Sequence, residues 1–395
     1  MDKIRNFFRL PFFSDYRTIA ILWGILAIVA ALTKGGLDAH INNFIIFRQV
    51  FWHMIDLKSL YAYYPEEYSD HNLYGPLFGI IIAPYALMPK FLSLLCWLLS
   101  LCAVLYAAVL KMPLDKKAKI FIFWYVSNEV LGALFMAQFN IVIAALIIVS
   151  YTAIDRDKNG WAACFIMLGT MTKLYGILGL AFLPFSRHKM RLMGYCIMWG
   201  VIFFVAPMLI SSPEYIISQY SEWITTLVDK NTLNENAIYQ NISFIGMTHR
   251  ISGMQFSDIW ILIPAALLFV LPAYRVKQYK YKGFQWALVA SALMVIILFS
   301  TGSESSGYII AISGVAIWYV TAPWKRTTTD VVLLIFALVI SSFGHSDLMP
   351  KIIRNGVIKP YALKALPITI IWLKLIWEMC TRNYRQESKT PLNNY

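Results

Sequence analysis

Residues 18–40 read TIAILWGILAIVAALTKGGLDAH. The first part, 18–33, is a run of 16 residues without a charge, which makes about 24 Å of α-helix against roughly 30 Å of hydrocarbon in a bilayer. The second part, 34–40, is polar and contains Lys34, two glycines and Asp38. The stretch predicts a helix that reaches the membrane surface, followed by a turn in which Asp38 is the first acidic residue.

Apolar runs of similar length recur along the whole chain. Of its 395 residues, 59% are hydrophobic and 14% are charged, whereas soluble domains average about 25% charged residues. We place spans at 18–33, 91–110, 120–138, 141–154, 161–173, 174–185, 192–211, 259–273, 284–301, 307–322, 330–343 and 367–381. The pattern predicts an all-α polytopic membrane protein with about 12 transmembrane helices in a single domain, 1–395. The short pair 161–185 is expected to be a hairpin that need not cross fully.

The distribution of Lys and Arg predicts the orientation. One further apolar run, 74–89, has only 16 residues and three prolines, which discourage a straight span. If it is a half-helix in the outer interface, the inside segments carry 22 of the 34 Lys and Arg residues. Because cytoplasmic loops are enriched in these residues, we predict cytoplasmic termini and outer segments at 34–90, 212–258 and 344–366. The net charge of +13 then reflects topology, and no nucleic-acid partner is expected.

Ionisable side chains in or beside the spans are candidates for function, because a charge in the membrane is costly. Under the predicted topology Asp38, Lys173 and Glu304 lie on the outer side, together with Gln138 and Asn140. A carboxylate, a cation and amide groups at one face could form a transfer site. The six histidines show no spacing typical of metal ligands, so no metal site is expected.

Structural roles are the alternatives. Asp38 could cap a helix that begins near residue 39, and Lys173 could extend to the interface or pair with Glu129. Glu129, near the middle of its span, is expected to be a buried ion-pair partner. Gln138 and Asn140 could simply terminate two helices. His249, Arg250 and Glu304 could be ordinary loop residues that take no part in binding.

Several of these residues lie in motifs that resemble those of a known family. GLD at 36–38, LY at 60–61, YGPL at 74–77 and APYALMP at 83–89 are similar to the first outer loop of the GT-C glycosyltransferases. The likeness is greatest to the bacterial polyprenol-phosphate-mannose-dependent mannosyltransferases of glycosyltransferase family 87. AQFN at 137–140 is similar to that family's Gly-Gln-x-Asn turn, TKLY at 172–175 to its lysine hairpin, and QNIS at 240–243 with Arg250 to its Asn-x-Ser/Arg loop.

The resemblance covers about residues 30–320 and lies in the order of the motifs. SESSGY at 303–308 occupies a late outer turn that often carries histidines in the family, but here it has Glu304 and Tyr308 instead. Gly75 stands where a second proline is usual before Pro76. These two departures leave the sugar and the acceptor open.

The resemblance implies a GT-C fold with interfacial half-helices in the first outer loop and an inverting glycosyltransferase activity. Mannose or a related sugar would pass from a polyprenyl-phosphate donor to a hydroxyl of a glycolipid or glycan at the extracytoplasmic face. Asp38 would be the general base, and the donor phosphate would bind Lys173, Arg250 and His249. The sugar or acceptor would bind Gln138, Asn140, Asn241, Glu304 and Tyr308. No cofactor is implied, and the remaining partners are membrane lipids.

Two other classes of protein remain open on the sequence alone. About 12 spans also suit a transporter or lipid flippase, with Glu129 and Lys173 along its path, although transporters usually contain internal repeats and none is visible here. A glycan polymerase or ligase would also have a long outer loop, with several arginines. The 212–258 segment contains only Arg250.

Overall fold

The computed structural model describes residues 10–36, 38–234, 240–254 and 256–385, and every regular element in those ranges is helical. The α-helices are α1 Tyr16–Ala30, α2 Asn42–Ile55, α3 Phe78–Ala86, α4 Lys90–Lys111, α5 Lys116–Phe135, α6 Asn140–Asp155, α7 Asn159–Lys173, α8 Lys189–Val205, α9 Pro213–Asn234, α10 Phe244–Ser252, α11 Ile259–Val270, α12 Lys282–Leu298, α13 Tyr308–Thr321, α14 Thr328–Phe336, α15 Lys351–Ile353 and α16 Ala365–Thr381. Tighter 3₁₀ turns and wider π-helical turns extend or join several of them. The predicted all-α class is therefore confirmed. Residues 1–9 and 386–395, on which the predicted cytoplasmic termini fall, lie outside the described ranges.

The apolar runs fall mainly on helical residues, but their lengths differ. Four helical stretches of 20 to 22 residues are long and apolar enough to cross a membrane: Tyr16–Gly35, Lys90–Lys111, Lys116–Phe135 and Lys189–Leu209. Six shorter apolar helices of 10–17 residues accompany them. The ambiguous run 74–89 contains α3, whose 9 residues include Pro84. At about 14 Å this helix is too short to cross alone, as the topology prediction requires, while the number of crossing helices stays a prediction.

The 161–185 pair is a tight hairpin. Its arms are α7, with 15 residues, and the 3₁₀ helix Tyr175–Phe185, with 11 residues. The two are joined at Leu174, which has φ +35°. The arms touch so closely that a Cβ on Gly176 would lie 2.3 Å from Thr170 N. Each arm is about 22 Å long, and Lys173 therefore sits at the tip of a hairpin shorter than the hydrocarbon core.

Contacts sort the loops into two ends of the helix bundle. At one end the basic loops meet: Arg156 Nη2 donates to Lys111 O, His188 lies against Asp157, and Lys282 pairs with Asp155. At the other end Asn43 Nδ2 donates to Met136 O, Lys230 pairs with Asp70, and Ile242 N donates to Ser303 O. These are the same two groups of loops that the Lys and Arg bias separates.

Glu129 on α5 is buried and paired, as predicted, but its partner is Lys364. Lys364 Nζ lies 3.2 Å from Glu129 Oε1, and the two side chains are 2% and 3% exposed. The alternative in which Lys173 pairs with Glu129 is therefore wrong. The sequence pattern could not reveal this partner, because the two residues are 235 positions apart.

Candidate active site

A polar cluster lies where the tip of the α7 hairpin meets the turn between α5 and α6. Lys173 Nζ donates to Asn140 Oδ1 at 2.8 Å and lies 3.4 Å from the Tyr74 hydroxyl. Gln138 Nε2 donates to Glu304 Oε2 at 3.3 Å, and Gln138 Oε1 accepts from the Tyr74 hydroxyl at 3.4 Å. These five residues, called the Lys173 cluster below, come from four separate parts of the chain. Four of them are predicted site residues.

The α5–α6 turn holds its two amides in place. Ala137 has φ +49°, a conformation that turns the chain sharply after α5. Trp97 Nε1 donates to Ala137 O at 2.9 Å and fixes the turn against α4. Gln138 and Asn140 are 7% and 5% exposed. Gln138 lies in the turn after α5 and Asn140 begins α6, and both side chains also belong to the Lys173 cluster.

Burial and the neighbouring positive charge have opposite effects on the carboxylate of this cluster. Lys173 and Glu304 are both half-buried. Burial raises the pKa of the Glu304 carboxyl above its ordinary value, and the charge of Lys173 opposes that shift. The pair Lys230 and Asp70, 2.8 Å apart, lies near enough for both charges to act on Glu304. An ammonium, a carboxylate and two amides can together bind the hydroxyls or the phosphate of a sugar phosphate.

A second polar group adjoins the late turn 303–308. Ile242 N donates to Ser303 O at 2.8 Å, and the Tyr308 hydroxyl donates to Ile242 O at 2.8 Å. Next to this pair, Asn241 has φ +52° and accepts from Ser243 Oγ at 2.6 Å. Its Nδ2 is buried and has no hydrogen-bond partner in the described part of the chain. A buried donor without a partner is costly, so this amide suits a ligand oxygen.

Arg250 lies at the Tyr308 end of that turn. Its Nη2 donates to Gln240 O at 2.7 Å and its Nη1 to Lys359 O at 3.3 Å. Its charge also acts on the Tyr308 hydroxyl. Lys173 lies at the Glu304 end of the turn. Arg250 and Lys173 therefore share no contact atom in this structure.

His249 is engaged elsewhere. Its Nε2 lies 2.8 Å from Asp258 Oδ1, and its ring stacks on Phe256 with centroids 4.3 Å apart. No contact joins it to the Lys173 cluster among the residues described. The predicted phosphate set of Lys173, Arg250 and His249 is thus spread over three places.

Asp38 lies at the same end of the bundle as the cluster but does not touch it. Its carboxylate is 74% exposed, and its Oδ2 lies 3.7 Å from His40 Nε2. Helix α2 begins at Asn42 with Ile41 as its N-cap and without a side-chain capping bond. The alternative in which Asp38 caps that helix is therefore wrong, and the carboxylate remains open to solvent.

Comparison with known families decides the class of protein. The sequence profile of Glycosyltransferase family 87 matches residues 72–301. The chain belongs to glycosyltransferase family 87. It is accordingly a glycosyltransferase of the membrane. A search of curated proteins finds no match.

The matched region of this family 87 glycosyltransferase holds most of the predicted site. Gln138, Asn140, Lys173, Asn241, His249 and Arg250 fall inside it, whereas Asp38, Glu304 and Tyr308 lie outside. The structure adds Tyr74 and the Asp70–Lys230 pair to the surroundings of the site. Tyr74 could have been found from the YGPL motif. The ion pair could not, because 160 positions separate its members.

The structure supplies a reason for the glycine at position 75. Gly75 N donates to Thr172 O at 3.0 Å, a bond that proline cannot make. A Cβ on Gly75 would lie 2.3 Å from Met171 O. The backbone beside Tyr74 thus packs directly on the backbone beside Lys173, and only glycine permits this approach.

Gly75→Ala is expected to destabilise the glycosyltransferase by about 1–3 kcal/mol, the usual cost of overpacking, and to lower its activity. The added methyl group must push the Tyr74 segment away from the hairpin tip. Gly132→Ala is the control, since a Cβ there meets nothing within 4 Å. Thermal unfolding and transfer rates of both variants test this. Equal behaviour of the two would show that the close approach is not needed.

Proposed function

We propose that this glycosyltransferase moves a sugar, mannose or a related one, from a polyprenyl-phosphate donor to a hydroxyl of a glycolipid or glycan. The observation that supports this best is the Lys173 cluster. It combines a cation, a carboxylate and two amides at the end of the bundle opposite the basic loops. Because basic loops favour the cytoplasm, the transfer is proposed to occur at the extracytoplasmic face, with both termini inside.

The proposed reaction needs one base. A polyprenyl phosphate is a good leaving group, since its oxygen carries the negative charge without protonation. Asp38 would take the proton of the acceptor hydroxyl, whose oxygen then forms the bond to the anomeric carbon. The bond from that carbon to the phosphate oxygen breaks, and the electron pair leaves with the phosphate. A single displacement of this kind inverts the anomeric configuration, whereas retention would need a carboxylate nucleophile.

The charge that builds on the leaving phosphate calls for cations and hydrogen-bond donors. We assign this role to Lys173, since Arg250 and His249, which the resemblance groups with it, lie apart from the Lys173 cluster. The sugar would be held by Gln138, Asn140 and Glu304. Asn241 offers its unpartnered Nδ2, and Tyr308 holds the loop that carries Asn241.

The experiment is transfer by the purified protein in vesicles. Labelled sugars on a polyprenyl monophosphate are supplied with glycolipid acceptors, and the anomeric configuration of the product is determined. We expect an inverted product from the monophosphate donor alone. Use of a lipid-diphosphate oligosaccharide would instead support the polymerase or ligase class. Movement of substrate without a new covalent bond would support a transporter.

Lys173→Gln is expected to lower transfer about 10- to 100-fold, because a hydrogen bond to a charged group contributes about 1.5–3 kcal/mol. The matched control is Lys90→Gln, which removes the same charge from an exposed position at the end of the outer segment 34–90. Initial rates with the monophosphate donor measure both variants. Equal rates would remove Lys173 from the proposed site.

A further inference from the structure

The connection between α14 and α16 combines cations with exposed apolar side chains. It contains α15 and the π-helical turn Arg354–Ile358. Ile352 is 87% exposed and Leu348 is 70% exposed. Lys351, Arg354 and Lys359 interleave with these apolar residues. Segments of this composition typically lie in the membrane interface, where cations attract anionic headgroups.

Two polar atoms of this segment are buried without a partner. His345 Nε2 and Arg354 Nε have no hydrogen-bond partner in the described part of the chain. The other face of Arg354 is occupied: its Nη1 donates to Ser346 O at 3.0 Å and to Asp347 Oδ1 at 2.6 Å. Buried polar atoms are normally paired with protein or with a ligand. Both nitrogens are therefore open to a ligand oxygen.

The charges around His345 are almost all positive. Burial, and then the charges of Lys364, Lys359, Arg250 and Arg354, lower the pKa of His345 to about 3. A ring held neutral among four cations marks a place where an anion would be attracted.

The carboxylates near these cations do not supply the missing partner. Asp347 pairs with Arg354, but its side chain is 99% exposed. Glu129 is already bound to Lys364, which also donates to Ser305 O at 3.0 Å. Neither acid reaches the unpartnered atoms of His345 and Arg354.

The segment that carries His345 and Arg354 also contacts other parts of the outer end. Arg250 Nη1 donates to Lys359 O at 3.3 Å, which brings α10 against this segment. Arg354 lowers the pKa of the Asp347 carboxyl, and the charge of Lys34 adds to that shift. Lys34 stands four residues before Asp38. Asp347, the acid that pairs with Arg354, therefore lies within electrostatic reach of the turn that carries Asp38.

We propose that His345, Arg354 and Arg250 form a binding site for the phosphate group of a membrane lipid. The unpartnered His345 and Arg354 nitrogens bind its oxygens, and the exposed apolar residues of the segment keep the site at the bilayer surface. The lipid is either the polyprenyl phosphate of the donor or an anionic phospholipid of the bulk membrane. The assignment rests on the proposed function only for the first of these, since binding itself requires no transfer.

The test uses the full-length protein in phosphatidylcholine nanodiscs with ¹³C-labelled histidine. The ring signal of His345 is assigned from its loss in His345→Gln. Polyprenyl phosphate, phosphatidylglycerol and inorganic phosphate are added in separate titrations. We expect a lipid phosphate to raise the pKa of His345 by about 1–3 pH units, the effect of an opposite charge within ~4–6 Å.

Two variants and the separate titrations distinguish the donor lipid from a phospholipid of the bulk membrane. Arg354→Gln is expected to weaken lipid binding about tenfold or more, whereas the matched control Lys351→Gln, exposed in the same segment, changes it less than about twofold. A response to polyprenyl phosphate alone identifies the donor lipid, and a response to phosphatidylglycerol as well identifies a general lipid-phosphate site. No response to either lipid, or an equal response to inorganic phosphate, overturns the proposal.

The design separates this site from the transfer reaction. If Arg354→Gln fails to fold, the ring signal of His345 in the unaltered protein decides alone. A response to lipid without any sugar transfer would leave this site standing and reject the proposed function. Sugar transfer without a response of His345 to lipid would support the proposed function and reject this site.

Discussion

Asp38→Asn is expected to lower sugar transfer by about 10²- to 10⁴-fold, the usual contribution of a general base, while the protein stays folded. The amide cannot take the proton of the acceptor hydroxyl. The fold should not suffer, because the Asp38 carboxylate is 74% exposed and its one ion-pair contact in the described chain is with His40 at 3.7 Å. Such surface pairs contribute about 0–1 kcal/mol. Initial rates and thermal unfolding measure the two effects separately.

The control for this variant is Asp56→Asn. Asp56 belongs to the same outer segment, its side chain is 52% exposed, and it too pairs with a neighbouring cation, Lys58 at 3.3 Å. Its loss should leave the transfer rate within about twofold, as expected for an exposed charge. Full activity of a folded Asp38→Asn protein would reject the mechanism. An equal loss in both variants would point to the charge of the outer segment instead of to one base.

Lys364→Met should reduce the free energy of unfolding by about 3–5 kcal/mol, because it leaves Glu129 buried without its partner. The same change removes two bonds to Ser305, to its carbonyl oxygen at 3.0 Å and to its hydroxyl at 2.9 Å. The ring of Tyr308, 4.4 Å from Lys364 Nζ, loses its cation as well. Denaturation in mixed micelles measures the stability, and the transfer rate should fall with it because Ser305 adjoins Glu304.

The double variant Lys364→Met with Glu129→Leu is the informative comparison. Replacing a buried ion pair by apolar residues of similar size is often neutral or stabilising, so most of the lost stability should return. Lys351→Met, at an exposed position, controls for the loss of a charge. A single Lys364→Met variant as stable as the parent would show that the pair does not hold α5 to the last helix. Activity that stays low in the stable double variant would show that Lys364 also positions the turn at Glu304.

The sequence alone predicts the helices well, because their signal is local. Apolar runs of the right length mark helices wherever the chain enters hydrocarbon, and the prolines of 74–89 shorten that run to the 9 residues of α3. The Lys and Arg bias separates the same two groups of loops that the contacts bring together. Motif order was enough to indicate the family, which the match over 72–301 then confirmed.

The candidate site was predicted in part. Lys173, Gln138, Asn140 and Glu304 do meet, and each lies in a motif or at the edge of a span where a polar residue is conspicuous. Tyr74 lies in the YGPL motif, but the motif alone does not indicate its role. The resemblance groups Arg250 and His249 with Lys173, whereas the structure places them apart.

The sequence by itself determined that this chain is helical and apolar enough for a membrane. It also determined which loops carry the polar candidate residues. Both follow from composition and residue spacing, which are local properties of the chain. Only the tertiary structure decided which charges are partners. Glu129 and Lys364, or Asp70 and Lys230, meet through the packing of helices that are far apart in the chain. The need for glycine at 75 was decided in the same way, since it comes from a second backbone segment. Side-chain chemistry is written in the sequence, but proximity across the bundle is a property of the whole fold.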